Sequence, residues 1–193
     1  MFEIELKAHV DKPQECKKNI SAFACEGEPI FKDDSYWVIP AGKSCLPAAE
    51  ETILGLRVRR ERTGKKDLVR VSWKKKEKRD ELEVNEENEF ELNTGLADGA
   101  ENFEKLLVLL GLEKKLSKRK NGWSWQYNGI TIELCEVSGN KNLGWFLELE
   151  IMEAENSAQT VTAAREKLLV MLEKSGIGKD KIENRYYADL LQD

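Results

Sequence analysis

The sequence predicts an α+β protein built on an antiparallel sheet whose charged side chains share one face and whose apolar side chains share the other. Three observations lead to this prediction. In residues 2–8, apolar side chains alternate with Glu3, Glu5 and Lys7, and successive side chains of a strand point to opposite sides. The same alternation recurs along later strands, and several segments with a helical period carry an apolar stripe. Such helices can cover the apolar face, so we expect the charged face to line an interior.

The composition is that of a globular protein. The chain has 193 residues, of which 35% are charged and 40% hydrophobic, and we assign residues 1–193 to a single domain with a substantial core. The net charge of -5 argues against non-specific binding to nucleic acid or to a membrane surface. No apolar run reaches the length of a membrane span.

The cysteines and the histidine limit the chemistry further. Four cysteines show no C-x-x-C spacing and no signal peptide is evident, which predicts reduced thiols and a cytoplasmic location: Cys16, Cys25, Cys45 and Cys135. His9 is the only histidine. A Ser-His-Asp triad or a histidine-rich zinc site is therefore nearly excluded.

The first half of the chain predicts one helix and five strands. In order, these are a strand at residues 2–8, a helix from about 13 to 24, and strands at 32–39, 54–61, 68–76 and 79–92. Asp11 is the predicted N-cap of the helix. The loop after the second strand contains Gly42-Lys43-Ser44, but Trp37 stands where a phosphate-binding P-loop requires its first glycine. We therefore interpret this stretch as an ordinary loop.

The second half repeats the order of helix and strands. It predicts a helix at residues 99–110 capped by Asp98, a strand at 114–125, a hairpin at 130–137 and 145–152, a helix at 159–174, and a tail at 182–191 that packs on the sheet. No linker or low-complexity segment separates the halves. The two halves therefore belong to the same predicted domain.

The polar faces of the strands together carry ions of both signs. The carboxylates are Glu3, Glu5, Glu81, Glu83, Glu148 and Glu150, and the cations are Lys7, Arg57, Arg59, Lys74, Lys76, Arg79, Lys118 and Lys120. Burying so many ions without ligands would cost several kcal/mol for each desolvated ion. A polyphosphate with divalent metal ions would neutralise them, because cations grip phosphate oxygens and glutamates hold hard cations. The scarcity of cysteine and histidine favours Mg²⁺ or Mn²⁺ over zinc.

Segments in order along nearly the whole chain resemble the CYTH superfamily, the triphosphate tunnel metalloenzymes. Glu3-Ile4-Glu5-Leu6-Lys7 matches the ExExK signature, and Asp34-Ser35-Tyr36-Trp37 is similar to the D-x-Y-F segment of its class IV adenylyl cyclase branch. The remaining similar segments are Leu56–Arg59, Ser72–Lys74, Arg79–Glu83, Leu143–Glu150 and Arg185–Tyr187. ExExK alone arises readily by chance, so the resemblance depends on the ordered set.

The resemblance implies a closed eight-stranded antiparallel β-barrel with a charged lumen, open at both ends and flanked by helices. It implies metal binding by Glu3, Glu5, Glu148 and Glu150, and triphosphate binding by Lys7, Arg57, Arg59, Lys74, Lys76, Lys118 and Lys120. Lys7 and Lys74 would also serve catalysis, and Arg79, Glu81 and Glu83 would pair with the cations or orient the nucleophile.

The chain departs from the family pattern at two places. Cys135 stands where a metal-binding aspartate is expected, and a thiol is a poor ligand for a hard cation. Glu133 shares the face of Cys135 and could substitute as a ligand, whereas Glu136 points the other way unless a bulge intervenes. The usual K-x-R pair reads Lys118-Arg119-Lys120, so a shift of one residue would bring Arg119 inward in place of its neighbours.

Three functions remain open from the sequence. The first is an adenylyl cyclase of class IV type, which converts ATP to cyclic AMP and pyrophosphate with Mg²⁺ or Mn²⁺. The second is a triphosphatase that acts on inorganic triphosphate, thiamine triphosphate or a nucleotide, and the third is a non-catalytic binder of polyphosphate or nucleotide. The partner is in each case ATP or another triphosphate, and an exposed edge or tail would allow a homodimer.

Overall fold

The computed structural model describes residues 1–40, 56–79, 81–92 and 98–192. The strands are β1 (Phe2–His9), β2 (Glu28–Val38), β3 (Leu56–Thr63), β4 (Lys66–Arg79), β5 (Leu82–Leu92), β6 (Glu113–Tyr127), β7 (Ile130–Ser138) and β8 (Asn142–Glu153). The helices are α1 (Pro13–Ser21), α2 (Asp98–Leu109), α3 (Ala158–Lys174) and α4 (Tyr187–Gln192), with a 3₁₀ turn at Lys179–Lys181.

The eight strands close into a barrel, as predicted. Their order around the barrel is β1-β5-β4-β3-β2-β6-β7-β8, and every neighbouring pair is antiparallel. β1 joins the two halves of the chain, because it pairs with β5 on one side and with β8 on the other. The closure leaves none of these eight strands as a free edge.

The apolar faces of the strands point outward under helices, and the charged faces point into the lumen. Ile4 and Leu6 of β1 are fully buried in a core that includes Leu168 and Leu172 of α3. On another part of the wall, strands β2, β3 and β4 pack their outer apolar side chains against α2. The burial of this outer layer stabilises the barrel, at about 25 cal/mol for each Å² of apolar surface removed from water.

The C-terminal helix α4 covers one end of the barrel. Tyr187 and Leu190 pack against Phe146 and Cys135, whose side chains lie on the lumen faces of β8 and β7. Leu191 packs against two further lumen-facing residues, Tyr36 and Leu116. The predicted tail therefore does pack on the sheet, and it covers one end of the predicted tunnel.

Several boundaries differ from the predicted ones, including the start of β2 at Glu28 and of β8 at Asn142, and two further differences concern predicted residues. The α1 helix is capped by Lys12 without a side-chain hydrogen bond, because Asp11 instead forms an ion pair of 2.7 Å with Lys181. β5 begins at Leu82, so the predicted strand that starts at residue 79 is wrong at its N-terminal end.

Some sequence predictions fall outside the described residues. These concern the Gly42-Lys43-Ser44 loop, Cys45, the beginning of the third predicted strand and the cap at Asp98, whose side chain is not described. Within the described part of the chain, no helix is both long enough and apolar enough to cross a membrane.

Candidate active site

A cavity of about 690 Å³ occupies the lumen, and its walls carry both signs of charge. It reaches from the end that α4 covers, where Tyr36 and Tyr187 line it, to the opposite end near the β3–β4 turn at Gly64. Alternation along the strands places the lining, because every second residue of a barrel strand faces inward. The size is that of a site for a small molecule of drug or nucleotide size.

All seven residues predicted to bind triphosphate face the lumen. Six of them line the cavity directly: Arg57, Arg59, Lys74, Lys76, Lys118 and Lys120. Lys7 lies just behind the cavity wall, 2% exposed, with its ammonium 2.5 Å from Glu83 and 4.9 Å from the centre of the Tyr187 ring.

Most of the cations are held by carboxylates on the lumen face, several of them directly opposite on a neighbouring strand. The pairs are Arg59 with Asp34, Arg57 with Glu87, Lys74 with Glu3 and Glu87, Lys32 with Glu133, Lys118 with Asp34, and Lys120 with Glu148 and Glu133. Among the described residues Lys76 has no ion pair, and burial together with the charges of Lys118 and Lys74 lowers its pKa. Lys76 therefore offers a cation that is not engaged by a carboxylate.

The strongest of these pairs joins β2 and β3. Arg59 donates to both oxygens of Asp34, at 2.7 and 2.9 Å, and Asp34 is 1% exposed. Burial alone would raise the pKa of Asp34, but the cations of Arg59, Lys118 and Arg57 hold it well below its ordinary value. The bidentate geometry fixes the Arg59 fork in the wall of the cavity.

Three carboxylates form a row that runs across β5, β1 and β8. Glu5 lies directly opposite Glu83 on one neighbouring strand and opposite Glu150 on the other. Such cross-strand neighbours have Cβ atoms about 5 Å apart, and like charges in that arrangement repel. Within the described chain, Glu5 and Glu150 have neither an ion pair nor a hydrogen bond from a side chain. Burial and the surrounding carboxylates raise the pKa of each to about 8. We call Glu83, Glu5 and Glu150 the acidic row.

The other predicted metal ligands are neutralised by lysines. Glu3 accepts from Lys74 at 2.7 and 2.8 Å and from Asn85 at 3.2 Å, which brings its pKa well below the ordinary value despite burial. Glu133 is bonded to Lys32 and has its pKa lowered to about 2. Glu148 is bonded to Lys120 and to the hydroxyl of Tyr187.

The acidic row presents carboxylate oxygens, the ligands that a hard divalent cation prefers. Two of its carboxylates lack a cation partner in the described structure, and their raised pKa values show that a positive charge beside them would be stabilising. No group of three or more acidic, histidine or cysteine side chains in the described residues is arranged to hold a metal ion by itself. Mg²⁺ commonly takes one or two protein carboxylates and fills its remaining positions with water and phosphate oxygens, so an incomplete protein set is compatible with it.

The structure does not bring Arg79 and Glu81 into the lumen. Arg79 ends β4 and donates to Glu77 at 2.8 Å and to the backbone oxygen of Asn156, while Glu81 accepts from Arg165 of α3. The predicted common face of Arg79, Glu81 and Glu83 is wrong, because the chain turns between β4 and β5 instead of continuing as one strand. Glu83 alone of the three lines the cavity.

The two departures from the family pattern have clear structural outcomes. Cys135 is 1% exposed in the apolar cluster beneath α4, and burial raises the pKa of its thiol to about 12, so it remains neutral. Glu133 faces the lumen, whereas Glu136 points outward and accepts from Asn142. Lys118 and Lys120 face the lumen, and Arg119 lies on the outer surface with its side chain 65% exposed.

Several residues of the site were not among the predicted ones. Lys32, Asn85, Glu87 and Tyr187 all line the cavity. The first three continue an alternation that was already visible on their strands, since Lys32 precedes Asp34 by two residues and Asn85 and Glu87 follow Glu83. Tyr187 lies in a six-residue helix, and no local periodicity of the sequence indicates that its ring enters the barrel.

Comparison with known families and structures identifies relatives of this fold. A model of the CYTH domain matches residues 1–187. The structure of PH1819 protein from Pyrococcus horikoshii OT3 is 26% identical, with 97% of each chain covered and a TM-score of 0.77. The comparison with curated protein sequences gave no match.

Two more distant structures share the fold and have names that state an activity. One is a protein from Vibrio parahaemolyticus provisionally described as an adenylate cyclase, which is 16% identical over 100% of this chain and 99% of that chain, with a TM-score of 0.76. The other is HpAC1 from Hippeastrum, provisionally an adenylyl cyclase with a dominant triphosphatase activity, which is 15% identical over 95% of this chain and 90% of that chain, with a TM-score of 0.58.

Proposed function

The chain belongs to the CYTH family, and we propose that it is a metal-dependent enzyme that cleaves a triphosphate bound in the barrel lumen. The observation that carries this proposal is the combination of many cavity-lining cations, six of them predicted triphosphate ligands, with an acidic row that has too few cations of its own. A triphosphate supplies anionic oxygens for the cations, and a divalent metal supplies positive charge for the row. The triphosphate therefore neutralises the lumen cations, and the metal ion neutralises the acidic row.

The basic residues bind and orient the triphosphate. Arg57 and Arg59 present guanidinium groups that are held in place by Glu87 and Asp34, and Lys76 is available without the loss of an existing ion pair. Their charge-assisted hydrogen bonds would stabilise the negative charge that develops on the phosphate oxygens as the chain is cleaved. Lys7 and Lys74 are the lysines that we predicted to be catalytic, and they are paired with Glu83 and with Glu3 and Glu87, respectively.

The acidic residues would hold the metal. Glu5 and Glu150 are the primary candidates, and Glu3, Glu148 and Glu133 become available when Lys74, Lys120 and Lys32 turn from them to phosphate oxygens. When bound, Mg²⁺ or Mn²⁺ acts as a Lewis acid on the phosphoryl oxygens. Glu83 stays paired with Lys7 and maintains the negative charge on that side of the lumen.

The first candidate reaction is the cyclisation of ATP. In it the ribose 3′-oxygen attacks the α-phosphorus, the bond to the β-phosphate oxygen breaks, pyrophosphate leaves, and the hydroxyl proton passes to water or a lumen carboxylate. The cavity of about 690 Å³ is larger than a bare triphosphate requires and suits a nucleotide. The similarity of Asp34-Ser35-Tyr36-Trp37 to the class IV cyclase segment and the name of the Vibrio relative also support it.

The second candidate reaction is hydrolysis of a triphosphate, and a separate observation favours it. Among the described residues that line the cavity, only Tyr36 and Tyr187 are aromatic, and both lie at the end covered by α4. The opposite end is lined by polar and aliphatic side chains, including Glu61, Arg70 and Gln126. A site without an aromatic platform at its opening offers little stacking for a base, which suits inorganic triphosphate, and the activity named for HpAC1 agrees with it.

One product analysis tests the proposal and separates the two reactions. Purified protein is incubated with ATP, GTP, inorganic triphosphate and thiamine triphosphate, each with Mg²⁺ or Mn²⁺ and with EDTA, and the products are separated by chromatography. Cyclic AMP with pyrophosphate identifies the cyclase, and phosphate without cyclic product identifies the triphosphatase. Glu5→Gln is expected to abolish either activity, and Arg119→Ala on the outer surface serves as the matched control.

The same analysis contradicts the proposal if no substrate is consumed with either metal. Tight binding of triphosphate without turnover would indicate the third function, a non-catalytic polyphosphate or nucleotide binder.

The free thiols of Cys16, Cys25 and Cys135 support our proposal that the protein is cytoplasmic. The expectations of a homodimer and of no nucleic-acid or membrane partner remain predictions.

A further inference from the structure

Tyr187 links the C-terminal helix to the charged groups of the lumen. It is the first residue of α4, is 8% exposed, and packs its ring edge-to-face on Phe146 at 5.1 Å. The same ring lies 4.9 Å from the ammonium groups of Lys7 and Lys118 and 5.6 Å from that of Lys120. Three lysines are therefore gathered around one aromatic ring, which attracts their charge and limits how closely they approach one another.

The hydroxyl of Tyr187 makes a contact that the packing of the helix does not require. It donates to Oε1 of Glu148 at 2.5 Å, while Oε2 of Glu148 accepts from Lys120. Leu190 and Leu191, which are 7% and 0% exposed, anchor α4 through apolar contacts. A phenylalanine could fill the same space beside Phe146, so the hydroxyl serves the carboxylate and not the fold.

We propose that Tyr187 is a positioning residue for the lumen site, because its hydroxyl fixes Glu148 and its ring spaces Lys7, Lys118 and Lys120. When Lys120 turns to a phosphate oxygen, Glu148 loses the partner of Oε2 but keeps the bond from Tyr187 at Oε1. The carboxylate therefore remains in place, and its freed oxygen is available to a divalent cation. This inference deepens the proposed function and rests on it, because it assumes that Glu148 serves a bound metal.

The test is a double-mutant cycle between Tyr187→Phe and Glu148→Gln, with Mn²⁺ binding measured by electron paramagnetic resonance in the presence of inorganic triphosphate. Loss of an outer partner that orients a metal-binding carboxylate typically weakens metal affinity about tenfold. We expect Tyr187→Phe alone to weaken Mn²⁺ binding by about tenfold, with less than a twofold further effect in the Glu148→Gln background. Non-additivity of this kind shows that the two residues act through one another.

The matched control is Tyr186→Phe, the same chemical change at the preceding residue. The Tyr186 ring lies over Lys76 and Lys78 at 4.5 and 4.1 Å, and its hydroxyl has no hydrogen-bond partner among the described residues. This variant should bind Mn²⁺ like the unmodified protein. Urea midpoints of all variants are measured alongside, and we expect Tyr187→Phe to lose no more stability than the loss of one buried hydrogen bond causes and to remain folded under the binding conditions.

The outcomes separate this inference from the proposed function. Equal weakening by Tyr187→Phe in both backgrounds, or unfolding of a substantial fraction of Tyr187→Phe under the binding conditions, would overturn the positioning role even if the protein turns over triphosphate. The expected cycle in a protein that cleaves none of the substrates would instead support the positioning role and contradict the proposed reaction.

Discussion

Glu3 and Glu5 are two carboxylates on the same face of the same strand, yet their environments drive their ionisation in opposite directions. Glu3 accepts from Lys74 and Asn85, and these contacts and the charge of Arg57 hold its pKa well below the ordinary value in spite of burial. Burial and the carboxylates of Glu83, Glu148 and Glu3 raise the pKa of Glu5 to about 8. Glu3 and Glu5 are only two positions apart on β1, yet Glu3 is neutralised by the protein and Glu5 lacks a cation partner.

The cause of the difference lies on the neighbouring strands. Glu3 faces Asn85 of β5 across the ladder, whereas Glu5 faces Glu83 of β5 and Glu150 of β8. The lumen therefore has a layer in which the protein balances its own charges and a row in which it does not. A ligand that removes this repulsion between carboxylates would increase the stability of the folded protein. This is the physical reason to place a metal at the acidic row.

The largest expected effect comes from breaking the neutralised layer at its most buried pair. Asp34→Ala leaves Arg59 and Lys118 without the carboxylate that both contact, and removing one partner of a buried ion pair typically costs about 3–5 kcal/mol. We expect a loss of this size in the free energy of unfolding, measured by urea denaturation. Asp67→Ala, which removes the exposed partner of Arg62, is the control and should leave the midpoint unchanged. An equal loss in both variants would mean that the lumen pair has no special role.

The next effect concerns two adjacent residues of β6. Lys120→Ala removes a lumen cation and should weaken the binding of inorganic triphosphate about 10- to 100-fold, since a charged hydrogen bond contributes about 1.5–3 kcal/mol. Arg119→Ala should leave binding unchanged, because this side chain is 65% exposed on the outer surface. Isothermal titration calorimetry of both variants measures the contrast. A stronger effect of Arg119→Ala would indicate that the register of β6 differs in the protein in solution.

A smaller effect on stability is expected from substituting Glu5 and Glu3, and the two substitutions should change stability in opposite directions. At pH 6 without metal, Glu5→Gln should stabilise the protein by about 2 kcal/mol, because a carboxyl with a pKa of about 8 when folded and an ordinary pKa of 4.5 must take up a proton on folding. Glu3→Gln should destabilise it, because Lys74 loses its carboxylate. Mg²⁺ should raise the melting temperature of the unmodified protein more than that of Glu5→Gln. Scanning calorimetry with and without Mg²⁺ measures these changes. If both substitutions stabilise the protein, or both destabilise it, the distinction between Glu3 and Glu5 is contradicted.

The smallest effect, counted for each pH unit, is a change in the pH dependence of stability. The pKa values of Glu5 and Glu150 are about 8 in the folded protein and have an ordinary value of 4.5, so the folded state holds these protons more tightly between those values. Their contribution to stability therefore falls as the pH rises from about 4.5 to 8 and is constant outside that window. Glu150→Gln should reduce this slope by at most about 1.4 kcal/mol for each pH unit. Urea midpoints between pH 4.5 and 9 without metal measure it, and an unchanged slope would mean that Glu150 ionises normally.

Sequence reasoning identified the wall of the site but not its electrostatic state. Alternation on β1, β3, β4 and β6 was sufficient to place Lys7, Arg57, Lys74 and Lys118 on the lumen side, because the direction of a side chain in a strand is a local property. The pKa difference between Glu3 and Glu5 depends on which residues lie opposite on β5 and β8. That register is fixed only when the barrel closes.

Two kinds of error had physical causes that a pattern does not reveal. The predicted strand at residues 79–92 ignored the turn that removes Arg79 and Glu81 from the lumen, since the charges alternate across the turn as they do within β5. Tyr187 was missed for a different reason. Its position follows from where a short helix meets the end of the barrel, which is a matter of tertiary packing and has no periodic signature.

The position of β1 also has a consequence for how the molecule assembles. The hairpins β2–β3, β3–β4, β4–β5, β6–β7 and β7–β8 join strands that are consecutive in the chain, whereas β1 must find β5 and β8 across long stretches of chain. Contacts between residues far apart in the sequence form slowly, because the entropy cost of closing the loop is incurred before the contacts stabilise the structure. Glu83, Glu5 and Glu150 come from the three strands that meet at these two seams, so their repulsion arises only when β1 docks. Cation capture and the docking of β1 are therefore coupled, and a divalent ion should slow the detachment of β1 during unfolding.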